Sequence, residues 1–122
     1  MDLNVISKEK VQRIYDQQAQ FFKLLMHPAR LAILDVLRED EACVCHLEAV
    51  LGFRQAYISQ QLAVLREARL IQDRRDGWNV FYRVIEPRVY ELVDAVEKIL
   101  HPGGMPDIPR HAEHCHCPKC ST

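Results

Sequence analysis

The sequence predicts a mainly α-helical fold that carries one β-hairpin, and three observations lead to that prediction. Residues 43–51 and 54–68 each show a helical pattern of apolar residues, and Gly52 breaks the pattern between them, which is the outline of a helix-turn-helix. Asp76-Gly77, a strong hairpin signal, joins residues 70–75 to residues 79–85, and the second of these segments alternates with the period of a strand; this hairpin follows directly after the second helix, in the position of a wing. Amphipathic helices with broad apolar faces flank this region on both sides. We therefore predict a winged helix-turn-helix of about five helices and two strands, assembled as a homodimer.

The remaining elements follow from local signals. Residues 8–25 show the i, i+3, i+4 rhythm of an amphipathic helix, and Ser7 before them is a suitable N-cap. Pro28 fits the first position of a second helix, because the missing N–H of proline costs nothing there. The predicted helices, in chain order, span residues 8–25, 28–39, 43–51, 54–68 and 88–100, and the predicted strands span residues 70–75 and 79–85.

Length and composition restrict the class of protein. The chain has 122 residues and a hydrophobic fraction of 48%, enough for one packed core and too much for a disordered chain. No apolar run approaches the roughly 20 residues of a membrane-spanning helix, and no signal peptide is apparent, so we expect a cytoplasmic protein. Five cysteines are then expected to be metal ligands or redox thiols rather than disulfides. We expect residues 1–102 to form the domain and residues 103–122, rich in cysteine and histidine, to form a tail.

The candidate DNA-binding surface lies between residues 54 and 83. This segment carries six arginines against three acidic residues in a chain whose net charge is −1, and a locally basic segment can orient a dimer on DNA. In the fourth helix, Ile58, Leu62 and Leu65 share one face and are predicted to be buried. Glutamine can pair with adenine, and hydroxyl groups can bond to phosphates or base edges. The residues expected to meet DNA are Gln55, Tyr57, Ser59, Gln60 and Gln61 on the fourth helix, and Arg74 and Arg75 at the tip of the wing. The alternative is a solvated polar face without a partner.

Cys43 and Cys45 stand at the start of the third predicted helix. Residues two apart do not face each other within a helix, but in the extended backbone at a helix start both side chains can lie on one side. The N-terminus of a helix also favours the thiolate, which is the form that binds metal. Two thiolates make half a site, because trigonal As(III) or tetrahedral Zn(II), Cd(II) or Pb(II) needs one or two further ligands. We predict that Cys115, Cys117 or Cys120 of the tail completes this site, within a protomer or across the dimer; the alternative is a separate metal site in the tail.

Five motifs stand in a recognisable order and spacing. They are HPARLAIL at residues 27–34, CVCHL at 43–47, ISQQLAVLREA at 58–68, RRDG at 74–77 and VFYR at 80–83. In these motifs the chain resembles the ArsR/SmtB family of bacterial metal-sensing repressors. The resemblance implies a dimer in which the first and last helices pair across a two-fold axis. It also implies a repressor that binds a palindromic operator without metal and is released when an ion binds.

The chain departs from the family's pattern at several positions. Some members carry a third cysteine three residues after the second, where this chain has Glu48. Other members bind zinc on the last helix through an Asp-x-His element and a downstream His-x-x-Glu, which Asp94, Glu97 and His101 do not reproduce. The family frequently has a basic residue where this chain has Trp78. We therefore expect no metal site on the last helix, and a wing tip that packs or stacks.

These observations predict a metal- or metalloid-responsive repressor whose effector is As(III), Cd(II), Pb(II) or Zn(II). The expected partners are operator DNA and a second copy of the chain, with no membrane and no small-molecule substrate. One alternative keeps the fold and makes the thiols a sensor of oxidants or sulfane sulfur. Another is a metal-handling interaction protein without specific DNA binding. An enzyme is not expected, because no nucleophile and base with an orienting group are visible.

Overall fold

The computed structural model describes residues 5–110, and the fold over this range is a winged helix-turn-helix. Five helices and a three-stranded antiparallel sheet make up this part of the chain. The elements, in chain order, are α1 Lys8–Leu25, α2 Pro28–Val36, β1 Ala42–Cys43, α3 Val44–Leu51, α4 Gln55–Glu67, β2 Ile71–Asp76, β3 Asn79–Val84 and α5 Val89–Leu100. The predicted fold class is confirmed, and the predicted boundaries differ from these by only a few residues.

A third strand extends the wing, and the prediction of two strands missed it. Ala42 and Cys43 form β1 and pair with Tyr82 and Phe81 of β3, so the strand order is β1-β3-β2. Two residues are too few to show the alternation by which a strand is recognised in a sequence. The pairing fixes the segment in front of α3 to the wing.

One apolar core holds the helix-turn-helix against α2 and the wing. Ile58, Leu62 and Leu65 of α4 are almost completely buried, as the sequence predicted. Burying a side chain of this size stabilises the fold by roughly 1.5–3 kcal/mol. The other large, fully buried side chains are Ile33, Leu34, Leu47, Leu70 and Ile71. Because these contacts set the rotation of α4 about its axis, they decide which of its polar residues face outward.

Each helix of the helix-turn-helix is followed by a residue in the left-handed region. Gly52 ends α3 with φ 74°, a value that costs glycine little. At the end of α4 the same conformation is adopted by Arg69, with φ 62°, while the Leu70 N–H donates to the Leu65 carbonyl at 3.1 Å. Arg69 thus occupies the position that glycine usually takes after a helix, and a side chain there is strained.

An open apolar groove of about 570 Å³ lies between α1, α2 and α5. Its walls include Phe22, Leu31, Leu92, Val96 and Leu100, and several of these side chains remain exposed in the single protomer. A contiguous apolar surface of this kind marks an interaction site in a globular protein. Along residues 5–110, no helix combines the length and the apolar character that crossing a membrane requires.

Candidate DNA-binding surface and thiol pair

The outer face of α4 carries the polar side chains that sequence reasoning placed there. Gln55, Tyr57, Ser59 and Gln60 are all exposed. Tyr57 is steadied by an edge-on contact with Phe53, whose ring centroid lies 5.4 Å away. The face therefore offers amide and hydroxyl groups, the chemistry that pairs with base edges and phosphates in a major groove.

Gln61 does not belong to this outer face, which corrects the expectation that it points outward. Its side chain is only 6% exposed, and its Oε1 accepts a hydrogen bond from Arg30 Nε at 2.8 Å. Arg30 also donates through Nη1 to the Leu24 carbonyl at 3.1 Å. One buried amide thus connects α4 to α2, and through Arg30 to the end of α1.

The two arginines of the wing have different surroundings. Arg74 donates to the Glu41 carboxylate, with Nε 3.2 Å from Oε2, and its guanidinium lies 4.8 Å from the centre of the Phe81 ring. Arg75 is exposed, and as the next residue of β2 it faces the opposite side of the sheet. Beyond it Trp78 is 102% exposed at the tip of the hairpin. Arg75 and Trp78 are therefore directed to solvent, while Arg74 contacts its own domain.

Cys43 and Cys45 are brought together where β1 passes into α3. Their sulfur atoms lie 2.7 Å apart. Cys43 has extended backbone angles, φ −86° and ψ 167°, and caps α3 by accepting the His46 N–H at 3.4 Å on its sulfur. Cys43 is buried and Cys45 is half-buried. The helix start therefore places both sulfur atoms on one side, which the spacing of two allowed.

The two sulfur atoms suit a soft or borderline ion, but they are only two donors. Within residues 5–110, no cluster of three or more His, Cys, Asp or Glu side chains is arranged to hold a metal ion. The predicted ligands Cys115, Cys117 and Cys120 lie outside the described residues. Within the described residues the pair thus supplies two sulfur donors that lie close together, and a metal site at this pair stays a prediction.

The chain returns to the thiol pair after α5. Residues 103–110, here called the strap, run back along the domain, and Met105 and Ile108 line the apolar groove. At the end of the strap Arg110 donates two hydrogen bonds to Asp35 of α2, both 3.0 Å long. The Arg110 carbonyl lies 3.1 Å from Nε2 of His46. The hydrogen bond to Asp35 raises the pKa of Arg110. Arg110 thus joins the end of the strap to α2 through its side chain and to His46 of α3 through its carbonyl group.

The Asp35 carboxylate also takes part in a wider set of charges. Arg38 lies 3.7 Å from it through Nε, and Arg38 Nη2 is 2.9 Å from Asp94 Oδ1 of α5. The Arg38 guanidinium also stacks on Tyr90, 4.5 Å from the ring centre. These contacts connect α2, α5 and the strap through side chains that sequence reasoning did not select. Asp35 and Arg38 are only three residues apart, but Asp94 and Tyr90 lie far from Arg38 in the chain, so no local pattern could have indicated those two contacts.

An exposed polar face on the second helix of the helix-turn-helix, a wing beside it and an apolar groove along the outer helices are the features of a winged helix-turn-helix transcriptional regulator. Residues 27–73 match the family described as "Bacterial regulatory protein, arsR family". The chain belongs to this ArsR/SmtB family of transcriptional repressors.

Individual relatives agree with this assignment. The chain is 37% identical to the "Biofilm growth-associated repressor" of Agrobacterium fabrum over 99 residues, 81% of this chain and 85% of the relative. It is similar to the crystal structure of Rv0081 from Mycobacterium tuberculosis, with a TM-score of 0.67 and 38% identity, covering 74% of this chain and 91% of that one. It is also similar to Mb0332 from Mycobacterium bovis, with a TM-score of 0.66 and 28% identity, covering 86% of this chain and 100% of that one. That protein is described as a homodimeric winged helix-turn-helix DNA-binding domain.

Proposed function

We propose that this protein is a homodimeric repressor that binds operator DNA when metal-free and leaves it when a thiophilic ion binds Cys43 and Cys45. As(III), Cd(II), Pb(II) and Zn(II) are the candidate effectors, because thiolates in trigonal or tetrahedral sites suit them. The ligand set would be completed by Cys115, Cys117 or Cys120. Residues 1–102 would then bind DNA and dimerise, while residues 103–122 would supply the missing ligands.

The observation that carries this proposal is that Cys43 contacts both the wing and the helix-turn-helix. Its backbone pairs with Phe81 of the wing, and its sulfur caps α3, the first helix of the helix-turn-helix. An ion that draws the two sulfur atoms into its own geometry would move β1 and the start of α3 together. Glu41, just before β1, also holds Arg74 of the wing. Coupling of this kind between ligand and DNA is typically about 1–3 kcal/mol, or roughly 5–150-fold in affinity.

The proposed DNA contacts are the exposed groups of α4 and the wing. Gln55, Tyr57, Ser59 and Gln60 would enter the major groove, and Arg75 would bind a phosphate or the adjacent minor groove. Arg74 would contribute after its ion pair with Glu41 has opened, so we assign it a smaller share.

The proposed dimer uses the apolar groove and the outer faces of α1 and α5. Tyr15, Phe22, Ile99 and Leu100 are exposed there in a single protomer. A second copy of the chain would cover these side chains and place two α4 helices on successive major grooves of a palindromic operator.

The test is DNA binding measured by fluorescence anisotropy, with labelled DNA from the region upstream of the coding sequence under reducing, chelated conditions. The metal-free protein should bind, and at least one of the four ions should weaken binding by roughly 5–150-fold. The matched variants are Cys43→Ser/Cys45→Ser, which should keep DNA binding and lose the response, and Cys115→Ser/Cys117→Ser/Cys120→Ser, which should lose part of it. If the metal-free protein shows no sequence preference, the metal-handling alternative replaces this proposal.

A second candidate is favoured by the distance between the two sulfur atoms. At 2.7 Å the two sulfur atoms are close enough for an oxidant to link them in a disulfide. The same DNA assay separates the two readings, because an oxidant added without metal should release DNA reversibly only if the protein is a redox or sulfane-sulfur sensor. If no ion acts and an oxidant does, the redox function is the correct one.

A further inference from the structure

We propose that Glu41 is a positioning residue that holds Arg74 in the DNA-free protein, so that Arg74 binds a DNA phosphate only after that phosphate has displaced the Glu41 carboxylate. This inference rests on the DNA-binding part of the proposed function. It goes beyond that function by assigning the acidic residue that limits one basic contact of the wing. Glu41 would act through Arg74, without contacting DNA itself.

The first support is that all three nitrogen atoms of the Arg74 guanidinium lie within ion-pair distance of a carboxylate. Nε lies 3.2 Å from Oε2 of Glu41, and Nη2 donates to Oε1 of the same carboxylate. The remaining nitrogen, Nη1, lies 3.9 Å from Oδ2 of Asp76. A guanidinium binds phosphate through the same paired N–H groups that it offers to a carboxylate. A phosphate and Glu41 therefore compete for the same donors.

The second support is that Glu41 is the better fixed of the two acidic partners. Its side chain is 17% exposed, whereas that of Asp76 is 69% exposed. The Glu41 backbone N–H donates to Asp40 Oδ1 at 2.8 Å, and the next residue, Ala42, is buried and pairs with Tyr82 of β3. A shielded, well-placed carboxylate holds a cation more firmly than a loose surface group does. Glu41 is therefore the main competitor of phosphate for Arg74.

The third support is that Arg74 is held in place and yet remains open to solvent. Its guanidinium lies 4.8 Å from the centre of the Phe81 ring, and Phe81 is almost completely buried. The Arg74 side chain is nevertheless 48% exposed. A phosphate can therefore approach the guanidinium from solvent, and exchange of its partner requires no change in the strand pairing.

The experiment measures how tightly the metal-free full chain binds labelled DNA of its upstream region, by fluorescence anisotropy between about 50 and 200 mM salt. Glu41→Gln keeps the size of the side chain and removes the competing charge. At about 50 mM salt this variant should bind roughly 2–5-fold more tightly than wild type, the usual contribution of a partly exposed ion pair. The slope of log affinity against log salt should become steeper by about 0.9, because one more phosphate is neutralised.

Arg74→Gln distinguishes release of this guanidinium from simple removal of a negative charge near DNA. With Arg74→Gln in place, Glu41→Gln should change the affinity by less than about 1.5-fold, because no guanidinium is left to release. If Glu41→Gln strengthens binding as much without Arg74 as with it, the carboxylate acts by repelling phosphate and the proposal is wrong.

Glu86→Gln is the matched control, because it removes the same charge and opens the same kind of pair outside α4 and the wing. Arg88 Nε lies 2.9 Å from Glu86 Oε2, and Arg88 Nη2 donates to Glu86 Oε1 in front of α5. This variant should leave both the affinity and the salt slope unchanged. A rise equal to that of Glu41→Gln would show that net charge alone is responsible and would overturn the proposal. Both variants should retain the circular dichroism of wild type.

The remaining outcomes separate this inference from the proposed function. If wild type shows no sequence preference for DNA, the DNA-binding function fails and the role of Glu41 fails with it. If wild type binds and Glu41→Gln has the same affinity and slope, only the role of Glu41 is refuted. Weaker binding by Glu41→Gln would also refute it, because the ion pair would then support the wing rather than hold Arg74 back.

Discussion

Gln60 and Gln61 are neighbours in the chain, and the structure predicts opposite consequences for their replacement by alanine. Gln61→Ala removes the acceptor for Arg30 Nε, a part-buried bond of 2.8 Å that connects α4 with α2. Because the donor is charged, the loss should cost about 1.5–3 kcal/mol of the free energy of unfolding. The side chain lies inside the fold, so the intrinsic affinity of the folded dimer for DNA should change little.

Gln60→Ala is the matched control, since this side chain is exposed on the outer face of α4. Its replacement should leave the free energy of unfolding within about 0.5 kcal/mol of wild type. If it contacts a base edge as proposed, the affinity for operator DNA should fall by about 1–3 kcal/mol, or roughly 5–150-fold.

Two assays decide between these outcomes. Urea denaturation, followed at one fixed protomer concentration because a dimer's stability depends on it, gives the free energy of unfolding. Anisotropy at protein concentrations where each variant is folded gives the DNA affinity. If Gln61→Ala unfolds like wild type but binds DNA poorly, Gln61 faces the groove and the orientation of α4 described above is wrong.

Three further substitutions test other parts of the fold by urea denaturation. Arg69→Gly should stabilise the protein by about 0.5–1 kcal/mol, because glycine relieves the strain at φ 62°; a loss of stability would show that the Arg69 side chain contributes more than its strain costs. Leu62→Ala should destabilise it by about 2–5 kcal/mol, whereas a loss below 1 kcal/mol would contradict its place in the core. Tyr90→Phe should cost about 0.5–1.5 kcal/mol through the lost bond to the Leu34 carbonyl. Burial raises the pKa of Tyr90 from 10.0 to about 12, so its protonated form stabilises the fold fully below pH 10 and loses that effect as the pH rises towards 12. The decline in stability above pH 10 should therefore be shallower in Tyr90→Phe, and equal slopes would contradict the shift.

The helices and the hairpin were predictable because their signals are local. Apolar spacing marked the buried face of α4, and Asp76-Gly77 marked the turn between β2 and β3. The strand β1 could not be found in this way, because two residues carry no period and their pairing partner, β3, lies far along the chain.

The orientation of Gln61 was available in the sequence and was missed. It stands three residues after Ile58 and four before Leu65, which is the spacing of a single helix face. Its polar side chain suggested the outer surface, but the helix period decided its position and Arg30 satisfied its amide. The pair between Asp35 and Arg110 is a different case, because its members are separated by 75 positions. Only the folded chain brings such residues together.

Trp78 is the one tryptophan in the chain, and its ring stands in solvent at the tip of the wing. The fluorescence of an indole responds to the water and charges around it. Because Trp78 is the one tryptophan, the tryptophan fluorescence of this protein comes entirely from the tip of the wing. The wing tip is thereby equipped with its own optical reporter. The extent to which a soluble quencher reduces Trp78 fluorescence would therefore report changes at the wing tip during DNA binding, metal addition or oxidation. The measurement needs no added label, and it reads the element that the proposed mechanism moves.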